Sequence, residues 1–157
     1  MADIFTASGS KFSIAAAVTT EPASASAYSA LTWTEVGMIE SLGEYGDEAA
    51  TIDFAVLGDG RVRKAKGASD AGNMAVTCAH IAGDVGQIAM VAAQLTKLTY
   101  PFKVELANKL TGGGTNEFNY FLGLVMSKRV NVGANDNVVR RTFSVAVTSK
   151  ITESAPT

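Results

Sequence analysis

The segment "DVGQIAMVAAQLTKL", residues 84–98, has the clearest helical pattern in this 157-residue chain. Asp84 is a good N-cap, and Gln87 three residues later completes the pattern of a capping box. Lys97 falls in the predicted last turn, where a cation is favourable to the helix dipole. Helical spacing predicts a buried apolar face. The residues of that predicted face are Ile88, Val91, Ala92 and Leu95.

The sequence on both sides of this helix has the apolar alternation of β-strands. In 72–81, Met74, Val76 and Cys78 share one face. The segment 50–67 predicts a hairpin, because "GDG" at its centre supplies turn chemistry. The other predicted strands are 11–19, 36–43, 100–108, 116–132 and 136–151, with a loop that includes one helical turn at 20–31 and a glycine turn at 111–115.

One domain spanning 1–157 is the simplest organisation for a chain of this length. The pattern predicts a mainly β protein, an antiparallel sandwich or half-barrel flanked by one helix. We expect the ends, 1–8 and 150–157, to be loose or to act as arms that contact other subunits.

The composition indicates an ordered globular protein that self-associates. Hydrophobic residues make up 47% and charged residues 18%. So little charge leaves apolar surface for partner subunits. The single cysteine, Cys78, excludes an intrachain disulfide framework. No secretory signal pattern and no long apolar run is evident, so we expect a soluble protein made in a reducing compartment.

The net charge of −2 is unevenly distributed along the chain. Residues 1–60 hold nine acids and one base, whereas residues 61–157 hold six acids and twelve bases. The change falls at "LGDGRVRKAKG", residues 57–67. This asymmetry either neutralises itself within one fold or gives two complementary faces that bind copies of the same chain.

The residue types that carry catalysis or bind metals are sparse. Cys78 and His80 are the only cysteine and histidine, too few for a zinc site and without an orienting partner for a nucleophile. "TGGGT" and "LGDGR" lack the spacing of phosphate-binding loops, and "EYGDEAATID" lacks that of an EF-hand. The basic "DGRVRKAKG" has no interleaved aromatics for nucleic acid. We therefore predict no catalytic residue, cofactor or metal, and a structural or binding protein rather than an enzyme.

Five motifs succeed one another within residues 9–148. The most specific features are Trp33 with Val36 and "IESLGEYGD", the turn "KGASDAGNM", and Asp84, Gly86 and Gln87 at the helix start. The motifs are "GSKFSIA" (9–15), "SAYSALTWTEVGMIESLGEYGDE" (26–48), "GRVRKAKGASDAGNMAVT" (60–77), "AGDVGQIAMVAAQ" (82–94) and "YFLGLVMSKRVNVG" (120–133). Their order and spacing resemble the tail tube (major tail) proteins of long-tailed bacteriophages.

The resemblance implies a structural protein of the virion tail. Members of that family form hexameric rings in which strands from all subunits close into one β-barrel. The rings stack into a tube that conducts double-stranded DNA, with a tape measure protein and other tail proteins as partners. Assembly would take place in the cytoplasm of the bacterial host. Residues 42–72 would be a long hairpin or loop that reaches a neighbouring subunit or ring.

Two groups of charged residues acquire expected roles from this resemblance. The acids are expected to face the lumen or a ring interface, because acids repel DNA phosphates whereas bases would hold them. The acids are Glu40, Glu44, Glu48 and Asp53. The bases are expected at contacts between subunits or rings, and they are Arg61, Arg63, Lys64 and Lys66. Two alternatives stay open, a type VI secretion ring protein and a head–tail completion or terminator protein that forms a single ring.

Overall fold

An open antiparallel sheet and a separate hairpin contain the strands of the protein. The computed structural model describes residues 4–157, so residues 1–3 of the predicted N-terminal arm lie outside the described part. The elements are β1 (Lys11–Ala15), α1 (Ala25–Ser29), β2 (Trp33–Glu35), β3 (Ile39–Ser41), β4 (Glu48–Ala55), β5 (Val62–Asp70), β6 (Asn73–Ala79), α2 (Val85–Gln94), β7 (Tyr100–Leu106), β8 (Glu117–Asn131), β9 (Arg140–Val147) and β10 (Thr152–Ser154).

The main sheet runs in the order β2-β1-β7-β8-β9-β6-β3, and β10 pairs beside β8. All of its pairings are antiparallel. β8 joins the two halves of the sheet, because it pairs with β7 up to Gly123 and with β9 from Gly123 onward. Within residues 4–157, β4 and β5 pair only with each other. The prediction of a mainly β, antiparallel fold flanked by a helix is confirmed, with an open sheet in the single copy.

One face of the sheet packs against α2 and forms the main core. The three residues of β6 predicted to share a face, Met74, Val76 and Cys78, are fully buried. Phe12 of β1 and Phe102 of β7 stack with their ring centroids 5.5 Å apart. Burying an apolar side chain of this size contributes about 1.5–3 kcal/mol, so this core is the main source of stability.

A smaller cluster covers part of the opposite face. The ring of Tyr28, in α1, stacks on Tyr120 of β8 at 5.3 Å. The Trp33 indole N–H donates to the Tyr28 carbonyl at 3.0 Å. The Lys103 ammonium lies 5.2 Å from the centroid of the Trp33 ring, and burial lowers its pKa. The helical turn predicted before Trp33 is therefore present, and it fixes the first half of β8.

Helix α2 begins where predicted and ends earlier. The Asp84 side chain caps it by accepting from the Gln87 N–H at 2.8 Å. The helix stops at Gln94, because the Thr96 N–H and hydroxyl both turn back onto the Ala93 carbonyl. The expected role of Lys97 in a last helical turn is therefore wrong.

The buried face of α2 also differs from the prediction. Four other residues face the core, and these are Gly86, Gln87, Met90 and Ala93. Of the residues expected there, Val91 is half-buried and Ile88, Ala92 and Leu95 are exposed. The helix is apolar on two sides, so its period could not show which side packs on the sheet.

The strand predicted at 36–43 is interrupted. Met38 has a φ of 56°, in the left-handed region, and pairing is confined to Ile39–Ser41. Val36 lies outside the strands but is buried, and its N–H donates to the Phe12 carbonyl at 2.8 Å. The short strand β2, which the sequence did not predict, pairs with β1. Three-residue strands are too short for alternation to reveal them.

The chain end is more ordered than a loose tail. β10 pairs with residues 118–120 of β8, and the Thr157 carbonyl accepts from the Leu110 N–H at 3.1 Å. The expectation that 150–157 is loose is therefore wrong for this segment, because backbone groups of β8 and of the glycine turn are available to pair with it. The predicted strand at 136–151 is also shorter and spans Arg140–Val147.

Candidate functional site

The β4–β5 hairpin confirms the hairpin predicted at 50–67, and one of its two faces carries an exposed apolar row. Direct pairs in its register are Ile52 with Ala65, Asp53 with Lys64, and Phe54 with Arg63. Residues that pair directly share a face, and successive residues alternate. Ile52, Phe54 and Ala65 therefore form an apolar row on one face, and both large side chains in it are exposed. Arg63 shares this face beside Phe54, and its guanidinium is neutralised by Asp59 at 3.0 Å.

The four acids expected at a lumen or ring interface are not brought together. Glu40 lies in β3, Glu44 in the segment leading to the hairpin, and Glu48 and Asp53 in β4. Asp53 forms an ion pair with Lys64 at 2.9 Å on the charged face of the hairpin. Their separation means that they belong to at least three different surfaces.

Glu40 is paired with Arg140 of β9, 100 residues away. The Arg140 guanidinium donates through Nε and Nη2, the latter at 3.1 Å from Glu40 Oε1. This hydrogen bond lowers the pKa of the Glu40 carboxyl and raises the pKa of Arg140. Both side chains are about half exposed, so solvent screens the pair and its contribution to stability is small. The pair neutralises the charges of Glu40 and Arg140 themselves.

An acidic patch lies at the base of the hairpin. Its four carboxylates line a hollow of about 380 Å³, and they are Glu44, Asp47, Glu48 and Asp70. In the described part of the chain, no salt bridge neutralises any of them. Four unneutralised acids in one place favour a cationic partner.

The four predicted bases all lie on the hairpin and partly neutralise its own acids. Asp59, in the turn, accepts from the Arg61 backbone N–H and from the Arg63 guanidinium, both at 3.0 Å. Lys64 pairs with Asp53 as described, and Lys66 stands opposite Thr51 in the strand register. Some of the charge polarity of the sequence is therefore neutralised inside one copy.

The face of β8, β9 and β6 turned away from the core has mostly small side chains, and we call it the outer face. Its small residues alternate with the buried ones, and they include Ala75, Thr77, Ser127, Thr142 and Ser144. Two arginines also lie on this face, Arg129 opposite Thr142 and Arg140, which is paired with Glu40. The Thr77 and Thr142 hydroxyls lie 3.3 Å apart across the strands. The sequence analysis did not single out these residues. Their signal was the uncharged, small side chain at every second position of "MAVTCA" and "RTFSVAV".

Two free strand edges border this half of the sheet. In the described chain, β3 has a strand partner only on its β6 side, and β8 between Leu124 and Asn131 has one only on its β9 side. A hollow of about 380 Å³ with apolar and backbone walls lies against β3, lined in part by Leu42, Tyr45 and Leu106. Free edges of this kind pair readily with another strand.

The described residues give no sign of a chemical centre. No group of three or more His, Cys, Asp and Glu within 4–157 could hold a metal ion. Cys78 is buried, and burial raises the pKa of its thiol, which disfavours the reactive thiolate. No helix in residues 4–157 is long and apolar enough to cross a membrane.

Solved structures with the same fold are components of tubes and injection systems. No protein-family model and no curated protein sequence matches the chain. The SPP1 tail tube matches over 93% of this chain and 76% of its own, with 13% identity and a TM-score of 0.60. A chain of the anti-feeding prophage baseplate matches over 99% and 98%, with 8% identity and a TM-score of 0.73.

A third match is the sheath/tube terminator of the PVC extracellular contractile injection system. It covers 98% of this chain and 99% of its own, with 11% identity and a TM-score of 0.71. The three matched structures are tube, baseplate and terminator components, and at 8–13% identity they show that the fold is shared. The chain therefore has the tail-tube fold, the fold that the sequence resemblance predicted.

Proposed function

We propose that this protein is a structural subunit of a phage tail tube, which forms rings of six copies that stack into a conduit for double-stranded DNA. The observation that carries the proposal is the match of nearly the whole chain to tube components, including one from a baseplate described as six-fold symmetrised. The protein would then act in the virion tail, after assembly in the host cytoplasm with a tape measure protein and other tail proteins.

Ring closure would use the two free edges of the sheet. The β3 edge of one copy would pair with the Leu124–Asn131 edge of β8 in the next, so that β8, β9, β6 and β3 repeat around the ring. Such a contact joins two different surfaces, and a ring closes when the same rotation relates each copy to the next. Six copies would contribute about 24 strands spaced about 4.8 Å and tilted about 40°, a barrel roughly 50 Å across. That width accommodates a DNA duplex.

The outer face is the surface that would line the lumen. Its short hydroxyl and methyl side chains leave the channel wide and offer few contacts to phosphate, whereas Arg129 is a cation on this face that no salt bridge within residues 4–157 neutralises. Glu40 would contribute here as a neutralised pair with Arg140, rather than as a repelling charge. Glu44 and Glu48 belong to the acidic patch at the strand ends, and Asp53 belongs to the hairpin. In this proposal the acids act at the lumen only through the neutralised Glu40, and the lumen wall has mostly small side chains with few groups that contact phosphate, Arg129 among them.

Stacking of rings would use charges at the two ends of these strands. The acidic patch lies at the Asn73 end of β6, whereas the basic residues Arg129 and Arg141 lie in the half of the strand toward its Ala79 end. Six residues of strand separate the ends by roughly 20 Å. Opposite charges at opposite ends favour head-to-tail growth, which does not close and gives a filament.

Electron microscopy of the purified protein tests the proposal. We expect tubes at low salt, and single rings or short tubes for Asp47→Arg, which places like charge at the stacking contact. Glu21→Arg is the matched control, since Glu21 is also an exposed acid and lies outside the acidic patch. A wild-type protein that stays monomeric at high concentration would contradict the proposal.

A tube terminator is the second candidate. It is favoured by the match to the PVC terminator, which covers both chains almost completely. A terminator forms one ring and does not polymerise, so single rings from the wild-type protein at every salt and protein concentration would support this function over the tube.

A further inference from the structure

The surface of α2 that faces away from the sheet is apolar without a partner in the described chain. Ile88 is 54% and Leu95 is 77% exposed, although the opposite side of the same helix is already buried in the core. Helices that are apolar all round are normally buried on all sides. The outward side of α2 therefore indicates a contact that the single copy does not make.

This side of α2 forms the floor of an apolar groove, which we call the α2 groove. The groove has a volume of about 380 Å³, and its lining is His80, Ala82, Ile88, Val91, Ala92, Leu95 and Arg141. Two atoms of its polar residues, His80 Nδ1 and Arg141 Nε, are buried and have no hydrogen-bond partner within residues 4–157. Buried polar atoms are nearly always paired, so an occupant of the groove should bring an acceptor for the Arg141 Nε–H.

The β4–β5 hairpin has the groups that the α2 groove lacks, an exposed apolar row and backbone carbonyls without a partner. An isolated two-stranded hairpin is marginally stable in water, so the exposed row Ile52, Phe54 and Ala65 should be covered in the assembled state. Each of its strands also has an edge without a strand partner in the described chain, where backbone carbonyls are free to accept. An apolar row beside free carbonyls fits an apolar groove in which the Arg141 Nε–H is unpaired.

We infer that the α2 groove binds the β4–β5 hairpin of a second copy of this chain, with Phe54 and Ile52 against Ile88 and Leu95. The eight residues of β4 make the hairpin about 26 Å long, enough to extend beyond its own sheet. Because donor and receptor surfaces differ, each copy uses both and the contact propagates through the assembly. The inference rests on the proposed function and names the surface that receives the hairpin.

Crosslinking of mixed single-cysteine variants tests this contact. Phe54→Cys and Ile88→Cys are purified separately, mixed under assembly conditions and treated with a short bismaleimide. The native Cys78 is buried and should react little. We expect a crosslinked dimer only in the mixture, at a yield several-fold above that of Val62→Cys mixed with Ile88→Cys. Val62 is the matched control because it lies on the opposite face of the same hairpin.

Electron microscopy of the same samples distinguishes failure of the groove contact from failure of the proposed function. Tubes or rings without the Phe54–Ile88 crosslink would overturn the inference and leave the proposed function standing. A crosslink from Phe5→Cys to Ile88→Cys in place of it would assign the groove to the N-terminal arm, where Phe5 is exposed, and would also overturn the inference. Absence of any assembly by the wild-type protein would overturn both.

An exposed-site variant gives an independent readout. Ile88→Lys should fold normally, because Ile88 is more than half exposed, and should lose assembly. Leu110→Lys, at an exposed leucine outside the groove, should keep it. Equal assembly of both variants would contradict the inference.

Discussion

At the scale of single residues, the start of α2 is the most constrained point of the structure. Asp84 Oδ2 accepts from the N–H groups of Gln87 and Gly37 at 2.8 and 3.1 Å. The fully buried Gln87 amide accepts from the Ile81 N–H at 3.2 Å and donates to the Ala79 and Gly37 carbonyls. These bonds tie the helix to the segment between β2 and β3 and to the end of β6. The capping-box prediction was half right, because the Gln87 side chain bonds elsewhere.

Gly86 allows this close approach, and Gly86→Ala should destabilise the fold. A Cβ there would lie 2.1 Å from the Glu35 carbonyl oxygen and 2.5 Å from Val36 Cα, both of them backbone atoms that cannot rotate away. We expect a loss of about 1–3 kcal/mol or more in the free energy of unfolding, measured by urea denaturation.

Gly83→Ala is the matched control. Gly83 precedes the same helix, has no positive φ, and has open space around a Cβ within 4 Å. Its substitution should leave stability unchanged or slightly higher, because alanine restricts the unfolded chain. Equal stability of the two variants would show that the helix start is not closely packed against the segment after β2.

At the scale of elements, period-2 patterns were sufficient to predict the strands of the core. β6 and β7 lie where alternation placed them, because each has one face in the core and one face away from it. The packed side of α2 could not be predicted, since the helix is apolar on two sides. The short strands β2, β3 and β10 escaped prediction, because their three residues are held by pairing with distant strands rather than by local pattern.

Ion pairs of the candidate site between neighbouring strands of one hairpin can be predicted from the sequence, but those between distant segments cannot. The Asp53–Lys64 pair follows from the register of a predicted hairpin, in which these residues stand opposite each other. The Glu40–Arg140 pair joins positions 100 residues apart, and only the order β9-β6-β3 in the sheet brings them together. Sequence alone therefore gives the charge polarity of the chain but not which charges remain without a partner.

The β4–β5 hairpin should be the least protected element of the unassembled protein. Its residues are almost all exposed, and it pairs with no other strand in the described chain. Hydrogen exchange followed by mass spectrometry should show rapid exchange for 48–70 in the monomer and slow exchange after assembly. The amides of β6 serve as the control and should be slow in both states, because β6 lies inside the sheet. Rapid exchange of 48–70 in assembled tubes would mean that the hairpin is not at a contact.

At the scale of the whole molecule, one half of the sheet explains the proposed assembly. The half formed by β8, β9, β6 and β3 has a free edge on each side, an outer face of mostly small residues, and unneutralised acids at one end with basic residues toward the other. The other half, with α1, β2, β1, β7 and β10, is covered on both faces. Copies of such a subunit can associate in two directions. Their sheet edges would join them around a ring, and the ends of their strands would join one ring to the next along a tube.

A cryo-EM reconstruction of the assembled protein tests this account most directly. We predict a six-fold ring in which Thr77, Thr142 and Ser144 line the lumen, β3 of each copy pairs with β8 of the next, and α2 lies away from the channel. A map in which α2 lines the channel, or in which neighbouring copies meet without pairing these two strand edges, would contradict it.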